Sequence, residues 1–140
     1  RKGWLENRRG FNIRGVIRMK YNSDFKYDLK FGQMGEQTVA EIVAGDTSEV
    51  KSERDLWVST GNHFVETQSR GKPSGICTTQ AKYWTVNFYK SGKFCFNLTL
   101  EVKDLKDIVL KHKHNKVKGG DNDTSRGVLV PIKELMEWFI

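Results

Sequence analysis

Carboxylates and a lysine at strand spacing are the residues best placed to do chemistry. Glu49-Val50-Lys51 sets an acid and an ammonium two positions apart, and Glu53 continues the same face. After Ser59-Thr60-Gly61-Asn62, a turn composition, Glu66 and Gln68 share one face of the next extended segment. If the two segments form a hairpin, Glu53 and Glu66 lie across from one another. Glu36 precedes them in a helical stretch that can project its carboxylate to the same place. Carboxylates converging on one point repel unless a hard cation sits between them. Mg²⁺ favours one or two carboxylates, waters and phosphate oxygens, and stabilises charge on a phosphodiester in transfer. The same pattern also describes a solvated strand face with cross-strand pairs.

The elements that would position these groups follow from periodicity. Phe31 to Ala44 reads as a helix, with Val39, Ile42 and Val43 at helical spacing and Gly45 ending it. Glu49 to Val58 and His63 to Gln68 read as a β-hairpin. Arg70 to Gly75 is a loop, and Thr78 to Tyr83 a short helix capped by Thr78 or Thr79. Trp84 to Tyr89 and Lys93 to Leu100 form a second hairpin. Leu105 to His112 is a helix, 116–127 a polar loop, Val128 to Val130 a short strand, and Ile132 to Ile140 a terminal helix or turn. The expected class is α/β with a mixed sheet.

The chain has 140 residues, the size of one domain. A single domain over 1–140 is therefore expected, with 1–24 as a basic arm carrying Arg8, Arg9, Arg14, Arg18 and Lys20. Its 24 basic and 17 acidic residues give a net charge of +7, which favours a polyanionic partner. No apolar run approaches the roughly 18 residues of a membrane span. No apolar segment of signal-peptide type follows Arg1-Lys2-Gly3-Trp4. Cys77 and Cys95, the two cysteines, lack metal-ligand spacing and read as buried thiols in a reducing compartment. Asn97-Leu98-Thr99 is treated as a chance sequon. Tyr83 and Trp84 are expected in the core, and His63 exposed near the turn. His112 and His114 lie in a cationic stretch suited to a DNA backbone or a solvated helix end. Neither cysteine has the neighbours of a nucleophilic enzyme.

A helix glutamate followed by an acidic hairpin with E-x-K or E-x-Q resembles the PD-(D/E)XK nuclease superfamily, the restriction-endonuclease-like fold. Small phage-type nucleases and Holliday-junction resolvases are the nearest in kind. The matching segments are Phe31-Gly32-Gln33-Met34-Gly35-Glu36, Glu49 to Arg54, Thr60 to Glu66, and Lys72-Pro73-Ser74-Gly75-Ile76 leading to Ala81-Lys82-Tyr83-Trp84. The resemblance implies a central mixed sheet flanked by helices, and Mg²⁺- or Mn²⁺-dependent hydrolysis of DNA phosphodiesters, with branched or junction DNA among the substrates. A non-catalytic nucleic-acid-binding module on the same fold is the alternative. Glu36 matches the helix glutamate. In one register Glu36, Glu53 and Glu66 hold the metal, Gln68 replaces the family's lysine, and Lys51 or Lys82 supplies the charge. In the other, Glu49 and Lys51 are the E-x-K pair and Asp46 the preceding acid. The first is preferred, because three residues cannot form a hairpin between Asp46 and Glu49. Arg70, Lys72, Ser74, Thr79 and Lys82 are the expected nucleic-acid contacts. The resemblance further implies an intracellular protein, in the cytoplasm, nucleoid or an infected cell, with a homodimer allowed.

Overall fold

The computed structural model describes residues 25–44 and 47–140. The chain divides into two units, 1–39 and 40–140. Helix α1 covers Phe25–Val43, and the division falls within it. In the first unit, Tyr27 and Phe31, one turn apart, stack with ring centres 6.2 Å apart.

The second unit runs β1 (Ser48–Arg54), α2 (Leu56–Thr60), β2 (Asn62–Ser69), β3 (Lys72–Pro73), a 3-10 turn (Gly75–Cys77) and β4 (Tyr83–Lys90). It continues through β5 (Lys93–Glu101), α3 (Val102–Lys111), β6 (Lys116–Gly119), a second 3-10 turn (Asp121–Asp123), β7 (Ser125–Pro131) and α4 (Ile132–Glu137). Two sheets result: a mixed one ordered β1-β4-β5 and an antiparallel one ordered β3-β2-β7-β6. The α/β class holds, but the strands form two sheets rather than one.

Alternation builds the core. Trp84, Val86 and Phe88 point inward from β4, and Val65, Val128 and Val130 from the other sheet. Val102, Leu105, Ile108 and Val109 line one face of α3, and Ile132 and Leu135 extend the cluster from α4. Each such side chain contributes about 1.5–3 kcal/mol by leaving water.

The first expected hairpin does not form. β1 pairs in parallel with β4, and β2 pairs with β3 and β7. The alternating run past Arg54 ends at Asp55, whose φ of 44° turns the chain into α2. Trp57 then enters the aromatic cluster of Phe88 and Phe96, with ring centres 5.4 and 5.5 Å away. Its indole N–H donates to the Tyr89 carbonyl at 2.8 Å. That anchor holds the reversal against the mixed sheet. Gly61, at φ 67°, closes the helix with a left-handed cap, and β2 leaves toward the other sheet.

Other boundaries also differ from expectation. The helix expected at Thr78 to Tyr83 is absent; the 3-10 turn precedes it and β4 begins at Tyr83. The 116–127 loop contains β6, and β7 extends beyond Val128 to Val130 at both ends. The second hairpin, β4 with β5, forms as expected.

Candidate functional site

β1 presents Glu49, Lys51 and Glu53 inward, while Val50, Ser52 and Arg54 are exposed. The inner face of this strand meets the first half of β2, where β3 pairs only with Gln68 and Ser69. Glu53 reaches that stretch of β2. One of its oxygens accepts the Phe64 backbone N–H at 2.7 Å and lies 2.7 Å from His63 Nδ1.

His63 is 1% exposed, which corrects the expectation of an exposed residue. Its parity with Val65 puts it on the buried face of β2. Trp84 donates its indole N–H to His63 Nε2 at 3.2 Å. An indole nitrogen only donates, so Nε2 accepts and Nδ1 carries the proton given to Glu53. Tyr83 and Trp84 are core residues, as expected.

Glu49 and Glu66 are braced differently. Glu49 Oε1 lies 2.9 Å from Lys51 Nζ, and its Oε2 accepts the Thr79 hydroxyl at 2.7 Å. Glu66 accepts the Ser74 hydroxyl at 2.7 Å on one oxygen and the Ser125 hydroxyl at 2.6 Å on the other. The Thr79 and Lys51 hydrogen bonds hold Glu49 below the ordinary carboxylate range. Glu66 is also held below it, chiefly by Ser125, with Ser74 and the Lys51 charge assisting. Partial burial and the Glu49 charge act on Glu66 in the opposite direction. Glu49, Lys51 and Glu66 are thus one electrostatic cluster. Lys51 Nζ also sits 5.4 Å from the centre of the Trp84 ring. A pocket of about 220 Å³ opens among Lys51, Glu53, His63, Phe64, Glu66 and Trp84.

Gly75 lies against the Glu66 backbone. Its φ is +57°, and an added Cβ would lie 2.2 Å from the Glu66 carbonyl oxygen. Glycine lets the Ser74 segment approach β2 closely enough for the hydroxyl to reach Glu66.

Several expected placements change. Glu53 is taken up by His63 and the Phe64 N–H, so the Glu53/Glu66 hairpin pair is replaced by Glu49 and Glu66. Gln68 leaves the cluster, because an irregularity in the β2–β7 pairing falls between Glu66 and Gln68. Gln68 lines a separate groove with Arg126 and Lys116. Ser74 and Thr79 hold carboxylates, and Thr79 caps no helix. Lys82 lies 3.6 Å from Glu41 and 5.1 Å from the centre of the Tyr83 ring. Arg70 and Lys72 are exposed in and beside a turn. Glu36 is an exposed residue of α1 in the first unit, and the cluster is built within 40–140. Asp46, Arg8, Arg9, Arg14, Arg18 and Lys20 lie outside the described residues. Both cysteines are free and exposed, not buried. His112 is half-buried against Glu134, whose other oxygen is 2.6 Å from Lys111 Nζ.

Sequence reasoning missed Ser125, which is 59 positions from Glu66 and has no local signature. It also missed the Glu53–His63–Trp84 chain, although the parity of His63 with Val65 indicated burial. Among the described residues, no group of three His, Cys, Asp or Glu side chains is arranged to hold a metal ion. No helix among them is long and apolar enough to cross a membrane. Comparison of the chain with protein-family models, curated proteins and solved structures finds no match.

Proposed function

We propose that this chain is a divalent-metal-dependent endonuclease, built on a restriction-endonuclease-like fold, that hydrolyses DNA phosphodiester bonds inside the cell. One observation carries the reading. Carboxylates from two different sheets, Glu49 of β1 and Glu66 of β2, flank the single ammonium of Lys51. Glu49 is oriented by the Thr79 hydroxyl and Lys51, and Glu66 by the Ser74 and Ser125 hydroxyls, which leaves lone pairs free on each.

The donor set fits a hard cation. Mg²⁺ or Mn²⁺ needs only one or two carboxylates when waters and phosphate oxygens complete its shell. Glu49 and Glu66 would hold the ion, and their mutual repulsion is the charge it relieves. The hydroxyls of Thr79, Ser74 and Ser125 are the outer partners that fix carboxylate orientation. When bound there, such an ion would neutralise charge on a scissile phosphate and lower the pKa of a water it holds. The chain's own contribution is positioning. Lys51 sets an ammonium beside the phosphate to stabilise charge that develops in the transition state. The buried Trp84 ring backs that ammonium, and Glu53 and His63 hold Trp84 in place.

The test is incubation of the chain with plasmid, linear, single-stranded and four-way-junction DNA in Mg²⁺, Mn²⁺ or EDTA. Cleavage with either metal and none in EDTA is expected. Equal products in EDTA, or no cleavage of any substrate, would sink the proposal. Gln68, which stands where the resemblance expects a lysine, favours a second reading, a module that binds nucleic acid without cutting it. That reading predicts salt-sensitive binding with intact DNA under every condition.

A further inference from the structure

The irregularity that removes Gln68 from the carboxylate cluster places it in a second feature. Gln68 pairs with Arg126, and Arg126 pairs with Lys118, so the three form one cross-strand row on the antiparallel sheet. Directly opposed residues share a face with Cβ atoms about 4.5–5.5 Å apart. Lys116 lies two positions before Lys118 and on the same face, about 6.6–6.8 Å along the strand. A groove of about 920 Å³ runs here, lined by Thr67, Gln68, Pro73, Cys77, Lys116 and Arg126. Among the described residues, no carboxylate lines it. Gly71 also lines it, which sets its neighbours Arg70 and Lys72 beside the groove.

Charge pairing separates these cations from five lysines elsewhere on the chain. Lys51, Lys82, Lys103, Lys111 and Lys133 each have a carboxylate within ion-pair distance. Among the described residues, no such pair involves Lys116, Lys118 or Arg126, and all three are exposed. Three cations at strand spacing repel one another and are relieved by an anion that repeats at comparable intervals.

We infer that this groove is the docking site for a nucleic-acid backbone, held by Lys116, Lys118 and Arg126 with Gln68 as a neutral hydrogen-bonding partner. The inference rests on the phosphodiester reading above and extends it to the surface that holds substrate.

The test measures binding without cleavage. Fluorescence anisotropy of a labelled DNA duplex is recorded in EDTA, across a series of salt concentrations, for the full chain. The triple variant Lys116→Ala, Lys118→Ala, Arg126→Ala is compared with a charge-matched triple, Lys103→Ala, Lys106→Ala, Lys133→Ala. Each lost phosphate contact removes about 0.9 from the slope of log affinity against log salt, so the groove variant should lose about 2.7. The charge-matched variant should lose less than half of that. Equal losses in both variants, a wild-type slope in the groove variant, or no binding by the wild-type chain would overturn the inference. Competition by polyglutamate as strong as by DNA, at equal charge, would overturn it in favour of an acidic protein partner. Cleavage is scored separately, with Mg²⁺. Loss of binding in the groove variant with no cleavage by wild type would retire the nuclease reading alone. Glu66-dependent cleavage with unchanged binding in the groove variant would retire this inference alone.

Discussion

Glu66→Gln separates the roles of the three β1 and β2 acids. The substitution preserves shape but replaces one carboxylate oxygen with an amide nitrogen, which cannot accept the Ser74 or Ser125 hydroxyl. It also removes the charge that faces Lys51. Loss of a group that merely supports a metal ligand typically costs 10–100-fold in affinity or activity, so loss of the ligand itself should cost at least about that much. A hydrogen bond to a charged group is worth about 1.5–3 kcal/mol, and the partial exposure of Glu66 reduces the expected stability loss to about 1–2 kcal/mol. That corresponds to a fall in Tm of roughly 3–8 °C for a domain near this size. DNA binding in EDTA should be unchanged or tighter, since a negative charge near phosphate has gone. The assay is plasmid nicking with Mg²⁺ at a temperature where every variant is folded by circular dichroism. Glu49→Gln should match Glu66→Gln in activity, because both carboxylates flank Lys51. Glu53→Gln should lower stability while the folded fraction keeps cutting. A folded but inactive Glu53 variant beside a fully active Glu49 variant would refute the reasoning and restore the Glu53/Glu66 pair.

Three further outcomes follow from the same geometry. His63→Phe leaves the Trp84 indole N–H without its acceptor and takes one of two donors from Glu53, which keeps the Phe64 N–H; with an unsatisfied buried group costing about 1–3 kcal/mol, urea unfolding should show a loss of roughly that size. An unchanged urea midpoint would contradict the hydrogen-bonded chain. Gly75→Ala forces a Cβ against the Glu66 carbonyl at positive φ, so Tm should fall by several degrees and cutting should fall with it; a Tm equal to wild type would refute the close approach. The third outcome concerns acid. In the folded state, Glu49 and Glu66 are held below the ordinary carboxylate pKa by their hydroxyl partners and Lys51. Their stabilising contribution is therefore complete above about pH 4.5 and lost as pH falls through the folded values. Urea midpoints should drop below that pH in wild type and drop less in the Glu49→Gln, Glu66→Gln double variant. Identical acid profiles would exclude the two carboxylates as the source.

What was legible in the sequence divides along a physical line. Alternation is a property of one strand, so the inward face of Glu49, Lys51 and Glu53, the burial of Trp84 and the β4–β5 hairpin all follow from local pattern. Pairing between strands is not local. The run from Glu49 to Val58 keeps its alternation across Asp55, and nothing nearby reveals that Trp57 will leave the strand to pack on Phe88 and Phe96. The reversal therefore became a five-residue helix, and β1 paired with β4 instead of β2. Residues that close the cluster come from further still: Thr79 is 30 positions from Glu49, and Ser125 is 59 from Glu66. Their hydroxyls look like caps and turn residues because a hydroxyl serves those roles equally well. The exchange of Glu53 for Glu49 follows from the same division. Both acids share a face, so parity admits either one. The choice is made by the side of β2 that lacks a partner strand near His63 and Phe64. Its free N–H groups need an acceptor, and Glu53 is the carboxylate within reach. Once Glu53 satisfies that need, Glu49 and Lys51 are the members of the face left to meet Glu66.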